Sequence, residues 1–462
     1  MKVMVVGLDC AAPVIMFDKL KDYLPNITKL TQEGIYGKLR SCDPPITIPA
    51  WMVMATGRSP GELGLYGFRS RVGNSYNQIK IPTSRDIKFD TVWEILGRRN
   101  KRSIIVAVPP TYPPKPIPGI MVSDFLTPDK EKEFTYPPGF KNEIMRDFPD
   151  YQFDVKFRKP EKEKIITEIH QMSDTRFKLV EKILKEKQWD FFFMVEIGID
   201  RIHHAFWRYI DKDHHLYEDN PEMKDKFIAY FKMVDSHIGK IVDLMDDDTV
   251  LLIVSDHGAK GMSGAFAINQ WLIREGYLVT QDEHVKQGAS LDDLKVDWSR
   301  TKAWAWGGYY ARIFLNVKGR ESEGVIDPKD VKKELETLRQ KLKEIKGPNG
   351  EHWNTIVFEP EEKYEIVNGD RSDLFVYLDD LNWRAAGTLG YESDYMFEND
   401  TGPDDAVHDY DGIYIMFRKN RKIGKNIDSS IFRIAPTILE LYNVRKKYGI
   451  KGEPMEGIDY VR

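Results

Sequence analysis

The sequence predicts an α/β protein built on an open, mostly parallel sheet with helices on both faces. Two observations support this prediction. Compact apolar runs, typical of strands buried on both faces, recur along the chain. Stretches in which apolar residues recur at helical spacing lie between several of these runs. Strand–helix alternation over 462 residues is typical of an open sheet covered on both sides.

The predicted strands begin almost at the first residue. Residues 2–8 form an apolar run that ends in Gly-Leu-Asp, and this run is too short for a membrane span and lacks the features of a signal peptide. We expect a buried strand there. Further apolar runs, which we expect to continue the same set of strands, lie at residues 102–108, 191–196, 249–256, 373–378 and 412–417.

Amphipathic helices are predicted on both sides of the run at 191–196. Apolar positions from Ile165 to Ile183 recur at helical spacing after Pro160, and those from Phe227 to Met245 do so before Asp246. Two other regions look like additions, one rich in proline and aromatic residues and one with charged helix and turn signals. We therefore predict a catalytic core at 1–285 with a loop-rich cover at 109–160, an inserted subdomain at 286–369, and completion of the core at 370–462.

The composition argues against some classes of binding partner. Lys and Arg number 68 against 73 Asp and Glu, and the net charge of -5 gives no footprint for a nucleic-acid polymer or an anionic membrane. The two cysteines, Cys10 and Cys42, cannot build a disulfide framework or a four-thiolate zinc site. A reduced, cytoplasmic compartment is therefore expected. We find no run of about 18 apolar residues, so we expect no membrane span.

Residues with metal-binding chemistry follow two of the predicted strands. Asp9 ends the first strand, and ligands of open α/β sheets bind beyond the carboxyl ends of strands. A helix N-cap is the alternative role for Asp9. Asp256 and His257 end another very apolar run, where both side chains would need partners if buried. A metal would supply those partners, and Gly258 would allow a sharp backbone turn beside it.

Two further segments supply candidate ligands. In the segment DRIHH, a helix would place Asp200 and His204 on one face at i, i+4, so that both could bind one ion. Asp200 and His203, at i, i+3, form a competing pair. A helix start with histidines exposed at the surface is the alternative to a metal site. His408 lies in a predicted loop rich in Asp and Gly, just before the last apolar run. The same loop contains carboxylates that we rank lower as ligands, namely Asp404, Asp405, Asp409 and Asp411.

Thr47 is the candidate nucleophile. It lies between two prolines in PPITIPAW, and we expect a loop in which proline turns hold the backbone rigid. A threonine hydroxyl needs a metal or a base to become a good nucleophile, and an ordinary Thr-Pro loop is the alternative. Thr56 is a second hydroxyl candidate, but its surroundings predict a helix that ends at Gly57.

The candidate ligands together supply three carboxylates and three imidazoles, from Asp9, Asp200, Asp256, His204, His257 and His408. Such a set suits a pair of zinc-like ions, with manganese as a second choice. Two adjacent cations can stabilise both the attacking and the leaving oxygen, so the set indicates phosphoryl transfer. Arginines after Thr47 would be available to clamp a phosphate, unless they are solvated: Arg58, Arg69 and Arg71. Aromatic residues of the predicted insert would stack on a base or simply pack: Trp298, Trp304, Trp306, Tyr309 and Tyr310.

These segments, taken in order, resemble the alkaline phosphatase superfamily. The similarity is greatest to type I phosphodiesterases/nucleotide pyrophosphatases and the related phosphohydrolase/phosphomutase proteins, and it extends from GLD through TIPAW, TGRSPGELGLYGF, DRIHHAFWRY and SDHG to PMEGI. The resemblance implies an alkaline phosphatase-like three-layer sandwich with inserted cover regions. It also implies that Thr47 is the nucleophile.

The resemblance further implies a role for each candidate ligand. One ion would be held by Asp9, Asp256 and His257 with the Thr47 oxygen. The resemblance also favours His204 over His203 as a ligand of the other ion. That other ion would be held by Asp200, His204 and His408. A small phosphate ester is the expected substrate.

Departures from the family pattern concern the substrate. Relatives often carry His-Gly where this chain has Leu63-Gly64, and the asparagine that lines their phosphate pocket has no match near Phe68. Thr47 stands where sulfatases need a cysteine or serine, which argues against sulfatase activity. A phosphodiesterase is the first prediction. A phosphomutase, a phosphonate hydrolase and a protein that binds phosphate ligands without turnover are the alternatives.

Overall fold

The computed structural model describes residues 1–445, 450 and 452–462, and within these residues the largest element is a ten-stranded sheet. Neighbouring strands from Thr249–Val254 to Gly119–Val122 run parallel, so the predicted fold class is confirmed. The strand order is Lys425–Asn426, Ile35–Arg40, Asp411–Arg418, Thr249–Val254, Lys2–Leu8, Phe191–Glu196, Ser103–Val106, Gly119–Val122 and Thr135–Tyr136, and Ser429–Ser430 also pairs with Ile35–Arg40.

The first strand shows why its sequence is a continuous apolar run. Met4 and Val6 pack into one core, and Val3 and Val5 pack into a second core on the opposite face of the sheet. Helices cover both cores, which gives the three-layer sandwich. The first layer contains Pro25–Glu33, Phe140–Asp147, Lys162–Glu186, Gly198–Phe206 and Pro221–Asp243, and the second contains Thr47–Thr56, Val92–Gly97, Ile434–Leu441 and Ile458–Val461.

Both long amphipathic helices predicted from the sequence are present. Lys162–Glu186 and Pro221–Asp243 pack against each other and bury their apolar stripes in the first core. Asn220 caps the second helix by accepting a hydrogen bond from the Met223 N–H, and Pro221 occupies the first helical position. Among the described helices, none combines the length and the apolar character that crossing a membrane requires.

One predicted strand has a different place. Leu374–Tyr377 is a strand, but it pairs antiparallel with Ala311–Leu315 and Ile356–Phe358 in a separate four-stranded sheet that Ala303–Trp306 completes. The prediction that this strand joins the same sheet as the first strand is wrong. An apolar run shows that a strand is buried but does not identify its partner. Asp411–Arg418 does join the central sheet, where it runs antiparallel to both neighbours.

Three smaller sheets and four short or peripheral α-helices remain within the described residues. The predicted subdomain 286–369 contains three strands of the four-stranded sheet, whose last strand lies beyond it. The predicted cover 109–160 adds the last two strands at one side of the central sheet. The division into domains stays a prediction. The remaining strand pairs are Ser70–Arg71 with Ile79–Lys80, Gly258–Gly261 with Ala406–Asp409, and Gly264–Ala267 with Trp383–Ala386 and Tyr395–Met396; the helices are Pro60–Leu63, Ile268–Arg274, Val331–Lys343 and Pro360–Lys363.

Candidate metal centre

Three neighbouring parallel strands bring carboxylates to one edge of the central sheet. Asp9 directly follows the first strand, Asp256 lies two residues after Thr249–Val254, and Asp200 lies in the helix that follows Phe191–Glu196. The carboxyl ends of parallel strands meet at the same edge of a sheet. The topology of the chain therefore accounts for the meeting of three acidic residues that are far apart in sequence.

Asp9, Asp256 and His257 form the first of two compact groups, and all three are fully buried. The Nε2 atom of His257 lies 3.1 Å from Asp256 Oδ2 and 3.9 Å from Asp9 Oδ1. Thr47 Oγ1 lies 3.3 Å from the same nitrogen. Donor atoms at metal distances of about 2.0–2.2 Å around one tetrahedral ion lie roughly 3.3–3.6 Å apart. These separations are close to what a shared cation requires.

Asp200, His204 and His408 form the second group. The helix Gly198–Phe206 places Asp200 and His204 on one face, and His204 Nε2 lies 3.2 Å from Asp200 Oδ1. His408 Nε2 lies 3.6 Å from the same oxygen. The two groups adjoin, because the rings of His257 and His408 stack with their centroids 3.8 Å apart.

All three histidines present Nε2 to the cluster and have an acceptor at Nδ1. An Nδ1–H that donates to such an acceptor leaves the Nε2 lone pair available to a metal. The Nδ1 distances are 2.7 Å from His204 to Asp404 Oδ1, 3.1 Å from His257 to the Gly258 carbonyl oxygen, and 3.0 Å from His408 to the Pro45 carbonyl oxygen.

Four buried polar atoms that face the cluster have no hydrogen-bond partner among the described residues. Each belongs to a residue that is at most 2% exposed, so bulk solvent does not reach it. An unpaired buried polar atom costs free energy, and a cation removes that cost for carboxylate and imidazole donors. The donor set therefore fits bound metal. The four atoms are Asp9 Oδ1, Asp200 Oδ1, Asp256 Oδ2 and His408 Nε2.

The electrostatics of the carboxylates agree with this fit. Burial raises the pKa of Asp9 and of Asp256 well above the usual range, and repulsion from neighbouring carboxylates raises both further. Burial also opposes the ionisation of Asp200, but His204 and Arg201 hold its pKa well below the usual range. A cation beside Asp9 and Asp256 would offset both the burial and the repulsion.

Thr47 is buried at the start of a helix rather than in a loop, and the predicted loop between two proline turns is wrong. Pro49 lies in the first helical turn, where its missing N–H would have had no intrahelical acceptor. The helix ends before Gly57, as the sequence predicts. One turn after Thr47, Trp51 donates its Nε1–H to Asp9 Oδ2 over 2.7 Å and ties the helix to the first group.

His408 lies on a strand rather than in the predicted loop. Ala406–Asp409 pairs antiparallel with Gly258–Gly261, so that His408 lies opposite Ala259. Because the partner strand begins immediately after His257, this two-stranded ribbon brings His408 back to the first group. The Asp and Gly residues around position 408 favour a loop locally, but pairing with a distant strand overrides that preference.

Tyr309, which the sequence leaves undecided between stacking and packing, forms a wall of the second group. Its ring stacks on His408 with centroids 3.8 Å apart, and its hydroxyl oxygen lies 3.2 Å from His204 Nε2. Arg158 donates to that hydroxyl over 2.9 Å, and Arg384 lies over the ring. Neither arginine is near a site residue in sequence, so no spacing pattern identifies them.

Asp404 supports the second group from behind. Its buried carboxylate accepts from His204 Nδ1, from Arg158 Nε over 2.9 Å and from Arg384 over 2.9 Å. These three donors occupy the oxygens that a metal would need. The sequence ranks Asp404 low as a ligand, and the structure gives it another task, since it fixes the ring of His204.

Other candidates from the sequence are engaged elsewhere. The His203 ring packs against Phe231, and its Nδ1 lies 3.1 Å from the Cys10 carbonyl oxygen. The Thr56 hydroxyl donates to the Met52 carbonyl oxygen. Several charged candidates form ion pairs away from the cluster: Arg58 with Glu62, Arg71 with Glu321, and Asp405 with Arg208.

Comparison with known proteins agrees with the geometry. The model of the type I phosphodiesterase/nucleotide pyrophosphatase family matches residues 3–404, a range that contains every predicted site residue except His408. A comparison with curated proteins finds no match. The matched family belongs to the alkaline phosphatase superfamily and consists of metal-dependent hydrolases that act on small phosphate esters. The chain is therefore a member of the type I phosphodiesterase/nucleotide pyrophosphatase family.

Proposed function

We propose that this enzyme cleaves phosphate esters of the phosphodiester or nucleotide pyrophosphate type through a threonyl-phosphate intermediate on Thr47. One observation carries the proposal. Two adjoining groups of buried carboxylates and imidazoles lie beside a buried threonine hydroxyl, whose oxygen is 3.3 Å from His257 Nε2. A binding protein has no need of a nucleophile beside such a donor set.

The proposed site holds two divalent cations. Asp9, Asp256 and His257 with the Thr47 oxygen would hold one, and Asp200, His204 and His408 would hold the other. Mixed carboxylate and imidazole donors suit zinc, with manganese as the second choice. When bound, the cations would lower the pKa of the nucleophile and stabilise charge on the attacking and leaving oxygens.

The protein's own residues carry out the remaining steps. Thr47 loses its hydroxyl proton to solvent and forms a bond to phosphorus while the ester P–O bond on the opposite side breaks. The leaving alkoxide takes up a proton. Water then attacks the phosphorus and breaks its bond to the Thr47 oxygen, which releases a phosphate monoester and restores the hydroxyl. Thr47 begins a helix, and the partial positive charge of a helix N-terminus favours the phosphate anion during both steps.

The substrate is a small phosphate ester, and no nucleic-acid polymer is expected as a partner. A cytoplasmic location, predicted from the two cysteines, is part of the proposal; both cysteines are free and buried. The same site would serve a phosphomutase or a phosphonate hydrolase. With a monoester substrate, release of inorganic phosphate distinguishes hydrolysis from transfer to a second hydroxyl.

The experiment compares hydrolysis of bis-p-nitrophenyl phosphate and p-nitrophenyl phosphate by metal-stripped protein after zinc or manganese is restored. We expect preference for the diester. Thr47→Ala should lose turnover by about 1,000-fold or more and keep its metal content, whereas Thr47→Ser should keep part of the activity. Thr56→Ala, which changes a buried threonine at the other end of the same helix, is the matched control. Normal turnover in Thr47→Ala would refute the nucleophile assignment.

A further inference from the structure

Cys10 directs its thiol into the second group of donors. The Cys10 sulfur and the nearest donor atoms of Asp200, His204 and His408 all lie within 4.8 Å of one another, and all four residues are buried. A tetrahedral zinc site takes four donors. The second proposed cation has three assigned ligands, so one position in its coordination sphere has no assigned protein donor.

The backbone holds Cys10 in an unusual conformation. Its φ angle is 63°, in the left-handed region that residues other than glycine rarely adopt. The Cys10 N–H donates to Asp256 Oδ1 over 3.0 Å, and the following N–H, of Ala11, donates to Ser255 Oγ over 2.9 Å. Conformations of this kind persist where surrounding contacts enforce them, often at functional sites. Here the contacts join Cys10 to the loop that carries the first group.

The surroundings of the thiol differ from those of a packing cysteine. A buried cysteine usually behaves as a small apolar side chain, but the Cys10 sulfur lies among a carboxylate and two imidazoles. The thiol donates to the Gly258 carbonyl oxygen over 3.3 Å, an ordinary distance for a sulfur donor. Asp200 Oδ1 and His408 Nε2, which face the same point, have no partner among the described residues. These unpaired donors indicate a ligand where the sulfur points.

We propose that Cys10 is a fourth protein ligand of the second cation and supplies a thiolate sulfur to it, so that the leaving oxygen of the substrate would join that cation as a fifth donor. This inference rests on the proposed two-cation function and refines it, because a thiolate selects zinc over manganese or magnesium at that position. Metal–sulfur bonds of about 2.3 Å and metal–nitrogen bonds of about 2.0 Å place the donors of one tetrahedral ion about 3.5 Å apart. The donor atoms here lie within 4.8 Å of one another, so they would move closer together when the cation binds. The cation replaces the thiol proton, which is released to the buffer on binding.

Cobalt substitution tests the sulfur directly. Metal-stripped protein is titrated with Co²⁺ without oxygen, and its absorption spectrum is recorded. A thiolate ligand gives a strong near-ultraviolet charge-transfer band, whereas carboxylate and imidazole ligands give only weak visible bands. The chain has two cysteines, so Cys42→Ser is the matched control; Cys42 is equally buried and its sulfur contacts the Pro44 carbonyl oxygen.

We expect the charge-transfer band in the wild-type protein and in Cys42→Ser, and its loss in Cys10→Ser with the visible bands retained. The zinc-to-manganese affinity ratio should fall about tenfold or more in Cys10→Ser. If that variant does not fold, Cys42→Ser decides alone, because Cys10 is then the only thiol. Visible bands without a charge-transfer band in the wild type would overturn the role of Cys10 and leave the cation site standing. Failure of the wild type to take up cobalt would overturn the proposed cation site itself.

Discussion

Replacing Asp404 by asparagine tests how the second group of donors is held. The Asp404 carboxylate accepts a hydrogen bond from His204 Nδ1 over 2.7 Å and from two arginines over 2.9 Å each. Asparagine keeps the size of the side chain but removes its charge and half of its acceptor capacity. The His204 ring then loses the group that fixes its tautomer and orientation.

The expected losses follow from these contacts. Partners behind a metal-binding histidine typically contribute about 10–100-fold in metal affinity, which corresponds to about 1.4–2.7 kcal/mol. Removing one charge from a buried ion pair costs about 3–5 kcal/mol of folding stability. The lower end applies here, because Arg158 is 27% exposed and keeps contact with water, and because the asparagine oxygen can still accept from the buried Arg384. We therefore expect Asp404→Asn to lose both metal affinity and about 3 kcal/mol of stability.

Asp405→Asn separates these two losses. Asp405 is the next residue, is equally buried, and pairs with Arg208 instead of a site histidine. It should lose comparable stability and keep its zinc affinity. Zinc affinity is measured by competition with a chromophoric chelator, and stability is measured by urea unfolding of the metal-free proteins. Equal losses of zinc affinity in Asp404→Asn and Asp405→Asn would refute the argument that Asp404 orients His204.

Three further predictions concern metal removal, the hydroxyl of Tyr309 and the pH dependence of folding stability. Chelation should destabilise the enzyme, by about 2.7 kcal/mol relative to metal at 100 times its dissociation constant, and thermal unfolding with and without zinc measures this. Tyr309→Phe should raise zinc affinity up to about tenfold, because it removes a hydroxyl that competes for His204 Nε2; unchanged affinity in the chelator assay contradicts this. Burial lowers the pKa of His214, whose Nδ1 accepts from the Leu216 N–H and whose Nε2 contacts the Asp405 carbonyl oxygen. The neutral ring stabilises the fold above pH of about 6.5, and this stability is lost as the pH falls. Urea unfolding at several pH values should show a weaker pH dependence in His214→Gln.

The sequence was sufficient for the centre of the fold, where burial on both faces leaves continuous apolar runs. It failed where a strand's sequence carries no information about its partner. Leu374–Tyr377 has the same apolar character as the first strand but joins another sheet. Gly119–Val122 extends the central sheet with only four residues, and prolines on its N-terminal side conceal it in a segment with loop-like composition.

The sequence likewise predicts some features of the candidate site and misses others. Side chains at the ends of apolar runs stand out, because an acidic or imidazole group beside a buried strand needs a partner. Thr47 and His408 are predicted from residue type alone. Their predicted local structure is wrong, because a helix and a two-stranded ribbon depend on distant packing. The sequence gives no sign of a role for Cys10, since two cysteines cannot build a disulfide framework or a four-thiolate zinc site. Its nearness to Asp200 follows from the pairing of the first strand with Phe191–Glu196, which the sequence does not specify.

The wall above the second group has a different origin from the ligands below it. Tyr309 comes from the predicted insert, Arg158 from the predicted cover, and Arg384 from a strand beyond both. The two arginines meet at Tyr309, whose ring lies against His204 and His408. Most of the proposed ligands lie instead at or near the ends of the central strands. Changes in these segments alter the space available to a substrate without altering the donors. We therefore expect the reaction type to depend on the strand ends, and the choice of ester to depend on the segments that form the wall.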